Sequence, residues 1–290
     1  MRERLRAALA LAATGLLATA AATAEVAATP ATAATLSAYL ARPAAHQFYL
    51  PKGLTEISGL AVASDNSVFA HDDSYGIVYE LDLASGKVLR AFALGKPTVK
   101  EDFEDIAVRA GYVYLLASDG RLFEAPIGGH RQRVRFNVYD TGVGPHCETE
   151  GLVNGPKDGE FLILCKKPRQ DKLKDRLVVF LWSLADRAPV SSPWLSVPLD
   201  GLVEPLDQAN FHPSAFLWRR DLGRFMIVSA KGHSAVEIDE SGKLIDRVKL
   251  DKIEHPQAEG LTMMPDGRLV VSDEGSSRGQ GKIAIYAPPP

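Results

Sequence analysis

Three glutamates, Glu104, Glu150 and Glu259, each open a copy of one short phrase, and two serines, Ser58 and Ser214, open the other two. The copies read Ser58-Gly59-Leu60-Ala61, Glu104-Asp105-Ile106-Ala107, Glu150-Gly151-Leu152-Val153, Ser214-Ala215-Phe216 and Glu259-Gly260-Leu261-Thr262. Their first residues are 46, 46, 64 and 45 positions apart. If the repeats close into a ring, three carboxylates meet near one axis, where they cannot all stay ionised without a positive partner. Hard oxygen donors with no Cys and little His suit Ca²⁺ first and Mg²⁺ second. The expectation is one divalent cation held by Glu104, Glu150 and Glu259, with Ser58 and Ser214 helping directly or through water. The structural alternative stays open: each Glu accepts hydrogen bonds from free backbone N–H groups or pairs with Lys or Arg.

Period-2 alternation puts the residue two positions earlier on the same side. That adds an outer ring of Glu56, Asp102, Glu148, His212 and Gln257. The second strand of each repeat returns to the same mouth, bringing Asp72, Asp73, Lys166, Lys167, Lys231, His233, Asp273 and Glu274. Of these, Asp73, Lys166, Lys231, His233, Asp273 and Glu274 are expected to contact a ligand, the lysines meeting an anion as point charges. If the site is catalytic, His212 or Glu148 is the candidate general base. The common catalytic signatures are missing: Gly232-His233-Ser234-Ala235-Val236 lacks the last glycine of a nucleophile elbow, and there is no H-E-x-x-H or P-loop.

A repeat period near 46 residues implies blades or solenoid turns. Within the first copy, apolar runs at 57–62, 68–71, 77–82 and 88–94 are separated by Asn-, Asp-, Ser- and Gly-rich turns. Four short strands per repeat are the signature of a propeller blade. The second copy is expected to end on a strand at 133–138, and a charged loop at 166–176 to account for most of the longer third step. The fifth copy runs out of chain after three strands, whereas Gln47-Phe48-Tyr49-Leu50 has no blade of its own. The fold expected is all-β: a β-propeller of five four-stranded blades, closed by this N-terminal strand, with six blades possible if the third repeat hides another. Closure removes the exposed edges of an open array. Trp182, Trp194 and Trp218 lie in or beside strands and read as packing residues.

Composition limits the remaining classes. Net charge is −3 with both signs mixed, so no basic stripe points to nucleic acid. Arg2, Arg4 and Arg6, an apolar run from Ala7 to Ala22 and the A-x-A site Ala22-Thr23-Ala24 read as a secretory signal peptide at 1–24. An Ala/Thr/Pro-rich linker is expected at 25–45 and the propeller domain at 46–290. The mature chain has no membrane span, is expected to be a monomer, and belongs in the periplasm or outside the cell. In that oxidising compartment Cys147 and Cys165, opening one expected strand and closing the next, could pair; the alternative is two buried thiols.

The phrases Ile57-Ser58-Gly59-Leu60, Phe103-Glu104-Asp105-Ile106, Cys147-Glu148-Thr149-Glu150-Gly151-Leu152, Pro213-Ser214-Ala215 and Gln257-Ala258-Glu259-Gly260-Leu261 resemble, in order, the SdiA-regulated family of exported β-propellers. The resemblance implies a propeller, export, and a cation at Glu104, Glu150 and Glu259; it carries no substrate. Related calcium-binding lactonases place Asn and Asp in the channel, where this chain has Glu and Ser. Two functions follow: a binding module presenting its channel mouth to a small or acidic ligand or a protein partner, or a Ca²⁺-dependent hydrolase of a lactone, ester or phosphoester.

Overall fold

The computed structural model describes residues 34–275 and 279–290. The expected signal peptide lies outside them. The described chain forms five antiparallel blades. Blade 1 is Ile57–Ser64, Ser67–Asp72, Ile77–Asp82 and Val88–Leu94; blade 2 is Phe103–Arg109, Tyr112–Ala117, Arg121–Pro126 and Asn137–Asp140. Blade 3 is Cys147–Asn154, Glu160–Pro168, Arg176–Ser183 and Leu195–Pro198; blade 4 is Ala215–Arg219, Arg224–Ser229, Ser234–Asp239 and Leu244–Lys249. Blade 5 is Ala258–Met263, Leu269–Asp273 and Lys282–Tyr286, completed by His46–Tyr49, whose His46 faces Ile285 and Tyr49 faces Lys282. The ring is therefore closed by the N-terminal strand, with five blades and not six.

The core is five similar cores, one at each junction between blades. Phe69, Phe92, Phe103 and Phe123 fill the junction of blades 1 and 2. Phe161, Phe180 and Trp182 meet Tyr114 and Leu116 at the next. Leu162 and Leu164 leave the opposite face of the same strand and meet Phe216, Phe225 and Ile227 of blade 4. Blades 4 and 5 share Met226, Val228, Leu261 and Val271. Blade 5 then packs on blade 1 through Ile283, Ile285, Val68 and Leu81. Both faces of each sheet are buried, so second strands such as Glu160–Pro168 read as nearly unbroken apolar runs.

Three local expectations change. The strand expected at 133–138 splits: Arg133–Val134 pairs in parallel with the outer strand of blade 1, and only Asn137–Asp140 joins blade 2. In blade 3 the second strand runs on to Pro168, which takes Lys166 and Lys167 out of the expected loop. The extra length of that repeat lies largely in residues 184–194 and in the crossing at 199–214. Finally, part of the segment read as linker packs onto the propeller. A helix at Leu36–Leu40 buries Leu36 and Tyr39 against blades 4 and 5. Its N-terminal amides are held by carboxylates: Leu36 N donates to Glu237 at 2.9 Å and Ser37 N to Asp246 at 2.8 Å, satisfying donors that have no partner inside a helix. Among the described residues no helix is long and apolar enough to cross a membrane.

Candidate functional site

The glutamate of each phrase is the extra residue of a β-bulge. In blade 2, Phe103 faces Ala117 and Asp105 faces Leu116, so Glu104 has no partner. Glu150 is passed over in the same way between Thr149 and Gly151, and Glu259 between Ala258 and Gly260. In blade 1 the register jumps from Ile57 to Leu60, across Ser58 and Gly59. A bulge bends its strand and re-aims the unpaired side chain. It also breaks the alternation on which the outer ring of Glu56, Asp102, Glu148, His212 and Gln257 was inferred. The bulge shifts the cysteines too: Cys165 faces Thr149 rather than Cys147, and the disulfide spans the sheet diagonally with Cα atoms 5.7 Å apart.

The glycine after the Glu or Ser has a packing reason. A Cβ on Gly59 would stand 2.8 Å from Asp105 Cα of blade 2, and one on Gly151 would stand 2.5 Å from Phe216 Cβ of blade 4. Both are closer than real Cβ atoms come. Neighbouring inner strands approach here because five blades make a narrow ring. Two residues along, Leu60, Ile106, Leu152, Phe216 and Leu261 are all buried and form an apolar waist. The carboxylates thus stand on an apolar floor.

The positive partner in this structure is Lys166. Its Nζ lies 2.8 Å from Glu150 Oε2 and 3.7 Å from Glu104 Oε2. The nearer contact sets the ammonium against the buried Glu150 carboxyl. Burial pushes Glu150 well above the carboxylate range; Glu104 and Glu259 add to this and Lys166 opposes it. Glu104 is pushed up to about 7, by burial first, against the pull of Lys166. Glu259 is pushed up to about 8, by burial, with Lys166 opposing and Glu274 adding. For Lys166 burial disfavours the ammonium, but Glu150 and Glu104 outweigh it and the group is raised. Among the described residues, Lys166 is the ammonium that faces all three carboxyls.

The other expected site residues divide. His212 stands at the mouth, its Nε2 3.4 Å from Lys231 Nζ; burial and then the Lys231 charge lower its pKa, so the imidazole is neutral at pH 7. Glu148 contributes to the field at Glu104. Glu274 is pushed up by burial and by Asp73 and Glu56, and accepts a hydrogen bond from Gln257 Nε2. Asp73 accepts from Ser74 Oγ at 2.7 Å. It also joins Glu56 and Asp72 in an acidic group whose carboxylate oxygens come within 4.8 Å of one another. Burial lifts Asp72 to about 6.

Three expectations need correcting. Lys166 turns inward onto the glutamates and is not free for an anion. Ser214 is spent on structure: its Oγ donates to Ala258 O at 2.7 Å and accepts from Ala230 N at 2.9 Å, tying blade 4 to blade 5. Asp273 is 1% exposed and accepts from His255 Nδ1 at 2.9 Å, while His255 Nε2 meets Tyr286 OH at 2.6 Å. This buried array makes Asp273 and His255 part of blade 5. Ser58 stays half-buried in the blade 1 bulge, and His233 sits in a turn with positive φ of 43°.

Sequence reasoning missed Asp105. It is buried, and its carboxylate accepts Ile106 N at 2.7 Å and Leu152 N at 2.6 Å, which locks the inner strands of blades 2 and 3 together. Its place where three other copies have glycine was the available signal.

Whether the ring suits a cation can be judged from its donors. The three carboxyls are hard oxygen ligands above the apolar waist, and burial holds them partly protonated beside Lys166. Lys166 keeps 32% of its side chain exposed, so it can swing outward to make room. Among the described residues the three glutamates do not bring one ligand oxygen each within 4.8 Å of one another, as Glu56, Asp72 and Asp73 do, so the ring would hold Ca²⁺ only by closing in after Lys166 leaves.

The SdiA-regulated family model matches residues 198–280. No curated protein matches the sequence. Similar solved structures include a luciferin-regenerating enzyme, at 10% identity and TM-score 0.49, covering 80% of this chain and 91% of that one. A streptogramin B lyase is similar at 16% identity and TM-score 0.41, covering 84% and 73%. A putative 6-phosphogluconolactonase from Bacteroides uniformis is similar at 15% identity and TM-score 0.43, covering 82% and 72%. Likeness at this level says nothing of substrate.

Proposed function

We propose that this is an exported propeller whose acidic mouth takes up a divalent cation, Ca²⁺ in first place, and presents it to a ligand. Glu104, Glu150 and Glu259 would hold the ion, and Lys166 would leave the ring as it enters. The observation that carries this reading is the grouping of three carboxyls, all held above the usual range by burial, around Lys166. Buried charge of one sign is costly unless compensated. Export is supported by the N-terminal signal features and by the Cys147–Cys165 disulfide.

A second reading is favoured by His212. A neutral imidazole beside Lys231 at the same mouth is in the protonation state a general base requires. A bound Ca²⁺ would supply Lewis-acid polarisation of a carbonyl or phosphoryl oxygen. In that case the chain is a hydrolase of a lactone, ester or phosphoester, with His212 accepting the proton of the attacking water.

The test is metal content. Protein purified without chelator is expected to carry one Ca²⁺ per chain and to melt lower in EDTA. Absence of metal, with no response to added Ca²⁺, would leave Lys166 as the permanent occupant and sink the cation reading. Loss of turnover on a lactone, ester and phosphoester panel in His212→Ala, with metal content intact, would select the hydrolase. An inert wild type would select the binding module.

A further inference from the structure

The channel has a second end that the carboxylate site does not use. Beyond the waist a cavity of about 340 Å³ lies among the later residues of the inner strands, Val62, Val108, Asn154, Leu217, Trp218 and Thr262 among them, with Arg220 beside Trp218. That volume is within the usual range for small-molecule sites, which are mostly apolar with a few fixed polar groups. Two such groups are present. Asn154 Nδ2 donates to Val108 O at 3.0 Å, which fixes the amide and leaves its buried Oδ1 with no donor among the described residues. Arg220 is held in place by donation to Asn154 O at 3.1 Å and by stacking, its Cζ 4.6 Å from the Trp218 ring centroid. Trp218 is fixed in turn by Nε1 donating to Glu240 at 3.1 Å. An unmet acceptor in an apolar wall and an exposed, pre-placed guanidinium are complementary to one chemistry.

We infer that this far mouth binds a small organic anion with a flat apolar body and one N–H or O–H group. The body occupies the cavity, the donor meets Asn154 Oδ1, and the anionic head meets Arg220. A guanidinium already stacked on an indole loses little freedom when it pairs with an oxyanion. The residues that make the waist separate this ligand from the carboxylate ring, so the two sites act independently.

The probe is 8-anilinonaphthalene-1-sulfonate, which carries an aromatic body, an N–H and a sulfonate. Fluorescence titration of the folded protein is expected to show one saturable site, unchanged by Ca²⁺ or EDTA. Arg220→Gln is expected to weaken it about tenfold, the size of a lost charge-assisted hydrogen bond. Val62→Phe, which narrows the cavity, is expected to abolish it. Arg220 is exposed, so its variant keeps the fold and its result decides even if Val62→Phe does not fold. No saturable binding, or binding that Arg220→Gln leaves intact, overturns the inference. So does binding that Lys231→Gln removes instead, since the probe then sits at the carboxylate mouth.

Discussion

Replacing Lys166 by Met is the most informative perturbation, because it removes the ammonium that, among the described residues, touches Glu150 and Glu104 at 2.8 and 3.7 Å. At an effective dielectric near 20, those separations correspond to roughly 6 and 4.5 kcal/mol of attraction when the carboxyls are ionised, before the cost of burying the ammonium. Removing one partner of a buried pair costs about 3–5 kcal/mol net, and the part-exposed lysine places this case near 3. In a domain of this size that lowers Tm by roughly 6–12 °C. The loss depends on pH in a defined direction. Burial holds Glu104 at about 7 and Glu259 at about 8, above their unfolded values. Between the free Glu range and those values the folded chain holds protons that the unfolded chain has released. Stability therefore falls as pH rises through that window, by about 1.4 kcal/mol per pH unit for each group. Without Lys166 both carboxyls are held still higher, so the deficit is largest at pH 8 and shrinks towards pH 5, where they are protonated. Calorimetry of wild type and Lys166→Met in EDTA, at both pH values, measures this. Millimolar Ca²⁺ at pH 8 is expected to restore the variant, since the ion takes the lysine's place. An unchanged Tm at pH 8 would refute the electrostatic account of the ring. A lowered Tm that Ca²⁺ does not restore would keep the account and remove the metal.

Further expectations follow from the same geometry. Glu259→Gln removes a surplus buried charge, so in EDTA at pH 8 its Tm is expected to rise, by about 1–2 kcal/mol of stability, while the response to Ca²⁺ disappears. Metal affinity itself is expected to fall as pH drops from 8 to 6, because the ligands must lose protons to bind; isothermal titration across that range reads it. Gly59→Ala forces a Cβ against the Asp105 backbone and is expected to cost about 1–3 kcal/mol by chemical denaturation. Reducing Cys147–Cys165, which closes a loop of 18 residues, is expected to cost about 3 kcal/mol.

The sequence by itself determined the ring. Five phrases at regular spacing, four strands per repeat and an orphan N-terminal strand leave one economical arrangement, because a propeller's periodicity is written in its turn residues and alternating apolar positions. The polar character of the channel mouth was equally legible, since Glu, Ser, His and Lys recur at fixed offsets from one phrase. The partners of those residues were not legible. Lys166 reaches Glu150 because the second strand of blade 3 runs to Pro168 and a bulge displaces the register; neither feature leaves a mark in residue type. Asp273 and Glu274 are adjacent in the chain, yet one is locked to His255 inside blade 5 and the other stands at the mouth. That division depends on which way each side chain leaves the strand end, Asp273 towards the buried His255 and Glu274 towards Gln257. Tertiary structure alone decided it, because side-chain charge is set by residue type, whereas burial and pairing are set by the register of neighbouring strands and by the packing of blade against blade.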